Sequence, residues 1–224
     1  MFKLVRQLRE SLRRRGFVGT AAFGQRELIR RYRLHRSFDR IHGTDTAGQT
    51  PLGDLSIASE NRHHGIHYQP MPAKLFPKVI KRLPVRPEGY VFIDFGSGKG
   101  RALLLASSYP FKRVIGVEFA SALHATALKN IARYRSAAQR CFRIEAICMD
   151  AADYEIPPEP AIYYFFNPFD DVIMRTVLTN IKMSLESSPR DAFFIYCNPI
   201  HAHLFDELGI KKDKIILFDP GWGD

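Results

Sequence analysis

The sequence predicts an α/β fold: a doubly wound, mostly parallel sheet preceded by an N-terminal helical extension. Three observations predict it. Six short apolar runs, rich in β-branched and aromatic residues, recur from Tyr90 onward. Stretches of helical length separate them, and strands alternating with helices make a parallel sheet covered on both faces. Three glycines in five residues, Gly96, Gly98 and Gly100, follow the first apolar run. In a doubly wound sheet that is where ligands bind, outside the carboxyl ends of the strands.

The chain of 224 residues carries a net charge of +10. Twelve Lys and Arg against four Asp and Glu lie in the first fifty residues, so the basic character belongs to an appendage. The expected division is a basic helical extension and loop over 1–60 and an α/β domain over 61–224. Leu4, Val5, Leu8 and Leu12 recur at helical spacing with Lys3, Arg6, Arg9 and Arg13 on other faces, a basic amphipathic helix. A second helix is expected from Gln25 to Phe38, with Leu28, Ile29 and Tyr32 on its apolar side. Three readings of this arm stand side by side. It packs on the core with a solvated basic face, it contacts acidic lipid or nucleic acid through residues 1–40, or it is a targeting segment. Residues 42–62, rich in Gly, Thr, Ser, Asp and Asn, read as a long loop. A short helix fits Lys74 to Leu83 between prolines.

The domain then proceeds element by element. "YVFIDF" is a buried strand and Arg101 to Ser108 a helix. "RVIGVEF" is the second strand. Ser121 to Tyr134 is a helix with Ser121 as its N-cap. "FRIEAICMD" and "AIYYFFN" are the third and fourth strands, Val172 to Leu185 a helix, and "AFFIYCN" the fifth strand. A short helix through Leu204 and the strand "KIILFD" follow. No run approaches the roughly 18 apolar residues of a membrane span. Cys141, Cys148 and Cys197 form no C-x-x-C, which points to reduced thiols in a cytoplasmic protein. "HHGIH" has no neighbouring cysteine, and Gly65 disfavours a helix presenting His63 and His67 together, so no metal is expected.

The glycine loop decides the ligand class. A P-loop needs G-x-x-x-x-G-K-[ST], and Ile93 stands where its first glycine belongs. G-x-G-x-x-G places its third glycine at Arg101, and Asp94, two residues before the first glycine, is awkward beside a pyrophosphate. A carboxylate there suits a ligand bearing an ammonium group.

Asp94-Phe-Gly96-Ser97-Gly98-Lys-Gly100 resembles motif I of the class I S-adenosylmethionine-dependent methyltransferases. Glu118, ending the second strand, matches the acidic residue that in that family accepts hydrogen bonds from the ribose hydroxyls. Asp150, ending the third strand, matches the position that contacts the adenine amino group. "HYQP" resembles the Tyr-x-Pro segment of seven-strand protein-lysine methyltransferases, with Tyr68 the matching cofactor-lining residue. "NPF" after the fourth strand resembles the [DN]-P-P-[YF] motif of enzymes methylating amino nitrogens, without its second proline. The resemblance covers about Tyr68 to Phe218 and implies a Rossmann-like methyltransferase fold. Taken alone, Glu118 reads equally as a strand-end charge and Asp150 as a cap; their shared register with the glycine loop sets them apart. Lys99 reads as a solvated or paired cation. Arg101, at the helix start where a cation opposes the dipole, is either another ion-pair partner or a ligand of the cofactor carboxylate.

The resemblance implies transfer of a methyl group to a nitrogen acceptor: a protein lysine or amide, a nucleic-acid base or a small molecule. S-adenosylmethionine is the implied cofactor, held by Tyr68, Asp94, Gly96, Ser97, Gly98, Gly100, Arg101, Glu118 and Asp150. Asn167 would aim the acceptor nitrogen, Pro168 offer a carbonyl, and Phe169 stack on the target. The basic arm favours an acidic macromolecular partner. The alternative is a non-catalytic module of the same fold that binds RNA or membrane through the arm; a nicotinamide-dependent oxidoreductase is the third reading.

Overall fold

The structure is a computed structural model that describes residues 37–220. The helix expected over residues 3–13 and most of the one expected over 25–38 lie outside the described residues. Residues 37–42 are helical (α1), so helix continues past Phe38.

Six strands form one sheet: β1 (Val91–Phe95), β2 (Arg113–Glu118), β3 (Ile144–Cys148), β4 (Ala161–Phe166), β5 (Ala192–Cys197) and β6 (Ile215–Phe218). Their order is β3-β2-β1-β4-β5-β6, and every pairing is parallel. This is the doubly wound, Rossmann-like order, with the switch point between β1 and β4. A mostly parallel sheet was expected; among the described residues it is wholly parallel, and β6 is its edge.

Alternation explains the two layers. Ile93, Phe95, Tyr163, Phe165, Phe194 and Tyr196 point to one face, where α5 (Asp171–Ser187) and α6 (His203–Glu207) cover them. Phe92, Val114, Ile162, Tyr164 and Ile195 point to the other, under α2 (Phe76–Ile80) and α3 (Arg101–Ala106). Strands buried on both faces explain the continuous apolar runs of the sequence. The outer strand β3 is only half-buried, and it begins at Ile144 rather than Phe142, whose ring is 78% exposed.

The helix α4 (Ser121–Arg133) corrects one expectation. Its N-cap is Ala120, not Ser121, and no side chain caps it. Glu118 Oε1 accepts the Ala120 N–H at 2.9 Å instead, so the preceding strand end serves that amide. The stretch read as loop also has local order, with 3₁₀ turns at Leu52–Asp54 and Glu60–His64.

Residues 37–47 dock beside the glycine loop through a buried charge. Arg101 is 1% exposed. Its guanidinium lies 3.5 Å from Asp39 Oδ1, bonds Thr46 Oγ1, and stacks 4.4 Å from the Phe38 ring centroid. Asp39 also accepts from the Thr44 and Thr46 hydroxyls and from the Thr46 and Ala47 amides. Removing one partner of a buried pair strands the other, at about 3–5 kcal/mol. Asp39→Ala is therefore expected to lower unfolding stability by about that amount, read by urea denaturation. A loss below about 1 kcal/mol, the range of exposed pairs, would mean that the pair is solvated and holds nothing.

Candidate functional site

The carboxyl ends of β1, β2, β3 and β4 open onto a cavity of about 440 Å³, within the range of small-molecule sites. Of the residues singled out in the sequence, Tyr68, Gly96, Glu118, Asp150, Asn167, Pro168 and Phe169 line it. Asp94, Ser97, Gly98, Gly100 and Arg101 are not among its lining residues, and all five are buried. Arg101 faces Asp39 and Thr46, and Lys99 Nζ reaches Asp45 at 3.2 Å.

The glycine loop is tied to β2. The N–H groups of Gly96 and Ser97 both donate to the Val117 carbonyl, at 2.9 and 3.0 Å. Gly98 N–H donates to Glu118 Oε2 at 2.8 Å, and Gly100 N–H to the Ser97 carbonyl at 2.9 Å. These amides turn inward, so the loop is no nest of free donors of the kind that cradles a phosphate. Two glycines are required by close approach as well as by positive φ. A Cβ on Gly96 (φ +76°) would stand 2.3 Å from Pro168, and one on Gly98 (φ +54°) 2.2 Å from the Tyr68 ring. Tyr68 is pinned there by its hydroxyl, which donates to the Thr46 carbonyl at 2.7 Å.

Two carboxylates lie at this corner. Burial, and then the nearby Glu118 charge, raises the Asp94 carboxyl well above the ordinary aspartate value, and no cation faces it among the described residues. Burial also raises Glu118, against the pull of hydrogen bonds from the Ala120, Gly98 and Phe119 amides. Asp150 caps the turn that follows β3, accepting the Ala152 N–H at 2.9 Å. Its other oxygen holds the Ser59 hydroxyl and the Asn61 amide.

The fourth wall is built at strand ends. Asn167 adopts φ +45°, and Asn198, also lining the cavity, φ +53°. Asparagine is among the few residues that visit this region. Both stand before proline where β4 and β5 end. The Tyr196 hydroxyl donates to Asn167 Oδ1 at 3.2 Å, and burial pushes this phenol up to about 12. The Pro168 carbonyl accepts the Ile66 N–H at 3.0 Å. The Phe169 ring packs edge-on against Phe165.

The segment 59–69 supplies what sequence reasoning missed. Gly65 bridges Phe169 in antiparallel fashion, and Asp170 N–H donates to the His64 carbonyl at 2.9 Å. His64 Nδ1 lies 2.6 Å from Asp170 Oδ2. Nothing periodic marks these contacts across more than a hundred residues. The repeated Asn-Pro at two strand ends was a signal for Asn198. No group of three His, Cys, Asp or Glu side chains among the described residues is arranged to hold a metal ion, and no described helix is long and apolar enough to cross a membrane.

No protein-family model and no curated protein matches the sequence. Similar solved structures include the 23S rRNA methyltransferase ErmE, 17% identical, covering 54% of this chain and 44% of that one, with a TM-score of 0.40. The StiE O-MT is 16% identical, covering 50% and 40%, with a TM-score of 0.40. Phosphoethanolamine N-methyltransferase 2 of Haemonchus contortus, in complex with S-adenosyl-L-methionine, is 20% identical, covering 54% and 27%, with a TM-score of 0.42. The match spans less than half the length of each of these chains.

The raised Asp94 carboxyl makes stability depend on pH. A group whose folded pKa lies above its unfolded value stabilises below the unfolded value, and that stability is lost as pH rises through the folded one. Asp94→Asn, which carries no charge to desolvate, is expected to be the more stable protein at pH 7, its advantage fading as pH falls toward 4. Urea midpoints across this range check it; a variant less stable at pH 7 would mean that the carboxylate is compensated.

Proposed function

We propose that the protein is an S-adenosylmethionine-dependent methyltransferase whose cofactor lies across the ends of β1, β2 and β3. The observation that carries this reading is the inward turn of the glycine-loop amides, together with the carboxylates beside them. A dinucleotide site offers free N–H groups to a pyrophosphate. Here those amides are spent on Val117, Glu118 and Ser97, and among the described residues the lining of the cavity includes Glu118 and Asp150 but no Lys or Arg. Such a surface suits a ligand with positive charge and hydroxyl donors.

The residues fit that cofactor. Glu118 spends its carboxylate on backbone amides, yet each oxygen retains a lone pair for a ribose hydroxyl. Asp150 is placed to accept from an exocyclic amine beside apolar Leu123, Phe119 and Met149. Gly96 of the glycine loop is on the lining and would border the ammonium end, while Asp94 stands outside that lining. When bound, the cofactor supplies a methyl group already activated on a sulfonium sulfur. The chain's task is then alignment and exclusion of water, and Asn167, Pro168 and Phe169 border the space left for an acceptor. A nitrogen acceptor is the reading these residues support.

Calorimetric titration of the full chain is expected to show binding of S-adenosylhomocysteine and none of NAD. Glu118→Gln, which keeps the size of the side chain, is expected to weaken that binding about 10- to 100-fold with an unchanged circular dichroism spectrum. Undiminished affinity in this variant would remove Glu118 from the cofactor site. Binding of NAD alone would replace the methyl-transfer reading by an oxidoreductase one.

A further inference from the structure

We propose that His64, held by Asp170, is the base that takes the proton from a cationic amine acceptor, an inference that rests on the methyl-transfer reading above. The pair is fixed at both ends. Asp170 is the N-cap of α5, its Oδ1 accepting the Val172 and Ile173 amides at 3.1 and 3.3 Å. Its Oδ2 lies 2.6 Å from His64 Nδ1, and its own N–H donates to the His64 carbonyl. A carboxylate at Nδ1 selects the tautomer whose Nε2 carries the lone pair. His64 lines the cavity beside Asn167, Pro168 and Phe169.

Two further observations select the acceptor. The oxygens of the Asn-Pro motif each accept one hydrogen bond already, Asn167 Oδ1 from Tyr196 and the Pro168 carbonyl from Ile66, and an amide oxygen with a lone pair left can orient an amine but is no base for its proton. Among the described residues the cavity is lined by two carboxylates, Glu118 and Asp150, and by no Lys or Arg, so its potential favours entry of an ammonium group over that of a phosphate. The proton count then closes. The ammonium nitrogen would give one proton to Nε2, and its freed lone pair would form the N–CH₃ bond as the S–CH₃ bond of the sulfonium breaks, that electron pair staying on the sulfur of a neutral thioether. The imidazolium, its Nδ1–H still directed at Asp170, passes the proton to water. His64 is thereby a catalytic residue and Asp170 a positioning residue.

Among the described residues, the other titratable groups near His64 in sequence or at the start of α5 are Glu60, His63 and His67, Arg62, whose Nε donates to His63 Nε2, and Asp171. Glu118 and Asp150 lie at the ends of β2 and β3 on the same cavity. Nitrogen-15 histidine spectra of the full chain saturated with S-adenosylhomocysteine test the proposal, with His64→Asn assigning the resonance. Expected is the Nδ1–H tautomer, with Nε2 responding to added amine. The tautomer preference should vanish in Asp170→Asn, which still caps α5.

n-Butylamine and a lysine-containing tripeptide are the probes. A response to the peptide alone identifies a protein side chain as the source, and a response to butylamine a free amine. With whichever responds, methyl transfer near neutral pH should fall about 100-fold or more in His64→Asn, and the deficit should shrink as rising pH supplies the free amine without a base. Binding of S-adenosylhomocysteine with an Nε2–H tautomer, or with no response to either amine, overturns this proposal alone. No binding of S-adenosylhomocysteine overturns the methyl-transfer reading, and this one with it.

Discussion

The attachment of the glycine loop to the end of β2 is the constraint on which the site depends. Buried amides must be paired. After β1 the chain turns sharply, and the Val117 carbonyl and the Glu118 carboxylate accept the loop amides within reach. Glu118 also serves Ala120, so one side chain fixes both the turn after β1 and the start of α4. The positive-φ glycines follow from the tightness of that turn, and the seats of Pro168 and Tyr68 follow from the missing Cβ atoms. A carboxylate held at this junction by backbone amides stays where a ligand can meet it.

The sheet was legible because its causes are local. Buried parallel strands need unbroken apolar runs, and each is followed by a helix-length stretch with its own periodicity. The register of Gly96, Glu118, Asp150 and Asn167 was legible too, since residues at the ends of adjacent parallel strands converge. Apart from Tyr68, what escaped is the segment between residues 44 and 69. Its contacts are single hydrogen bonds to distant partners: Thr46 to Arg101, Ser59 and Asn61 to Asp150, His64 to Asp170. None leaves a period or a spacing in the sequence. Arg101 shows the same limit. A cation at a helix start suggests an outside anion, and the structure supplies Asp39 from sixty-two residues upstream.

Polar groups that look available in the sequence are spoken for in the structure. Lys99 pairs with Asp45, Asp150 holds the Ser59–Asn61 turn, and Asn167 receives the Tyr196 hydroxyl. A side chain already oriented by a neighbour costs less to order when a ligand arrives. The walls of the cavity are therefore set by the protein's own bonds.

The long reach of segment 44–69 also bears on the order of folding. Its partners in the sheet domain lie 52 to 106 residues away along the chain, and several belong to strand ends that exist only once the sheet has paired. Closing such loops costs entropy before any contact repays it. The segment is expected to join last and, in the native state, to open first, ahead of the sheet beneath it. Amide exchange should resolve the molecule into a slow sheet and a faster wrapping, and the cavity exists only in conformers that have completed both.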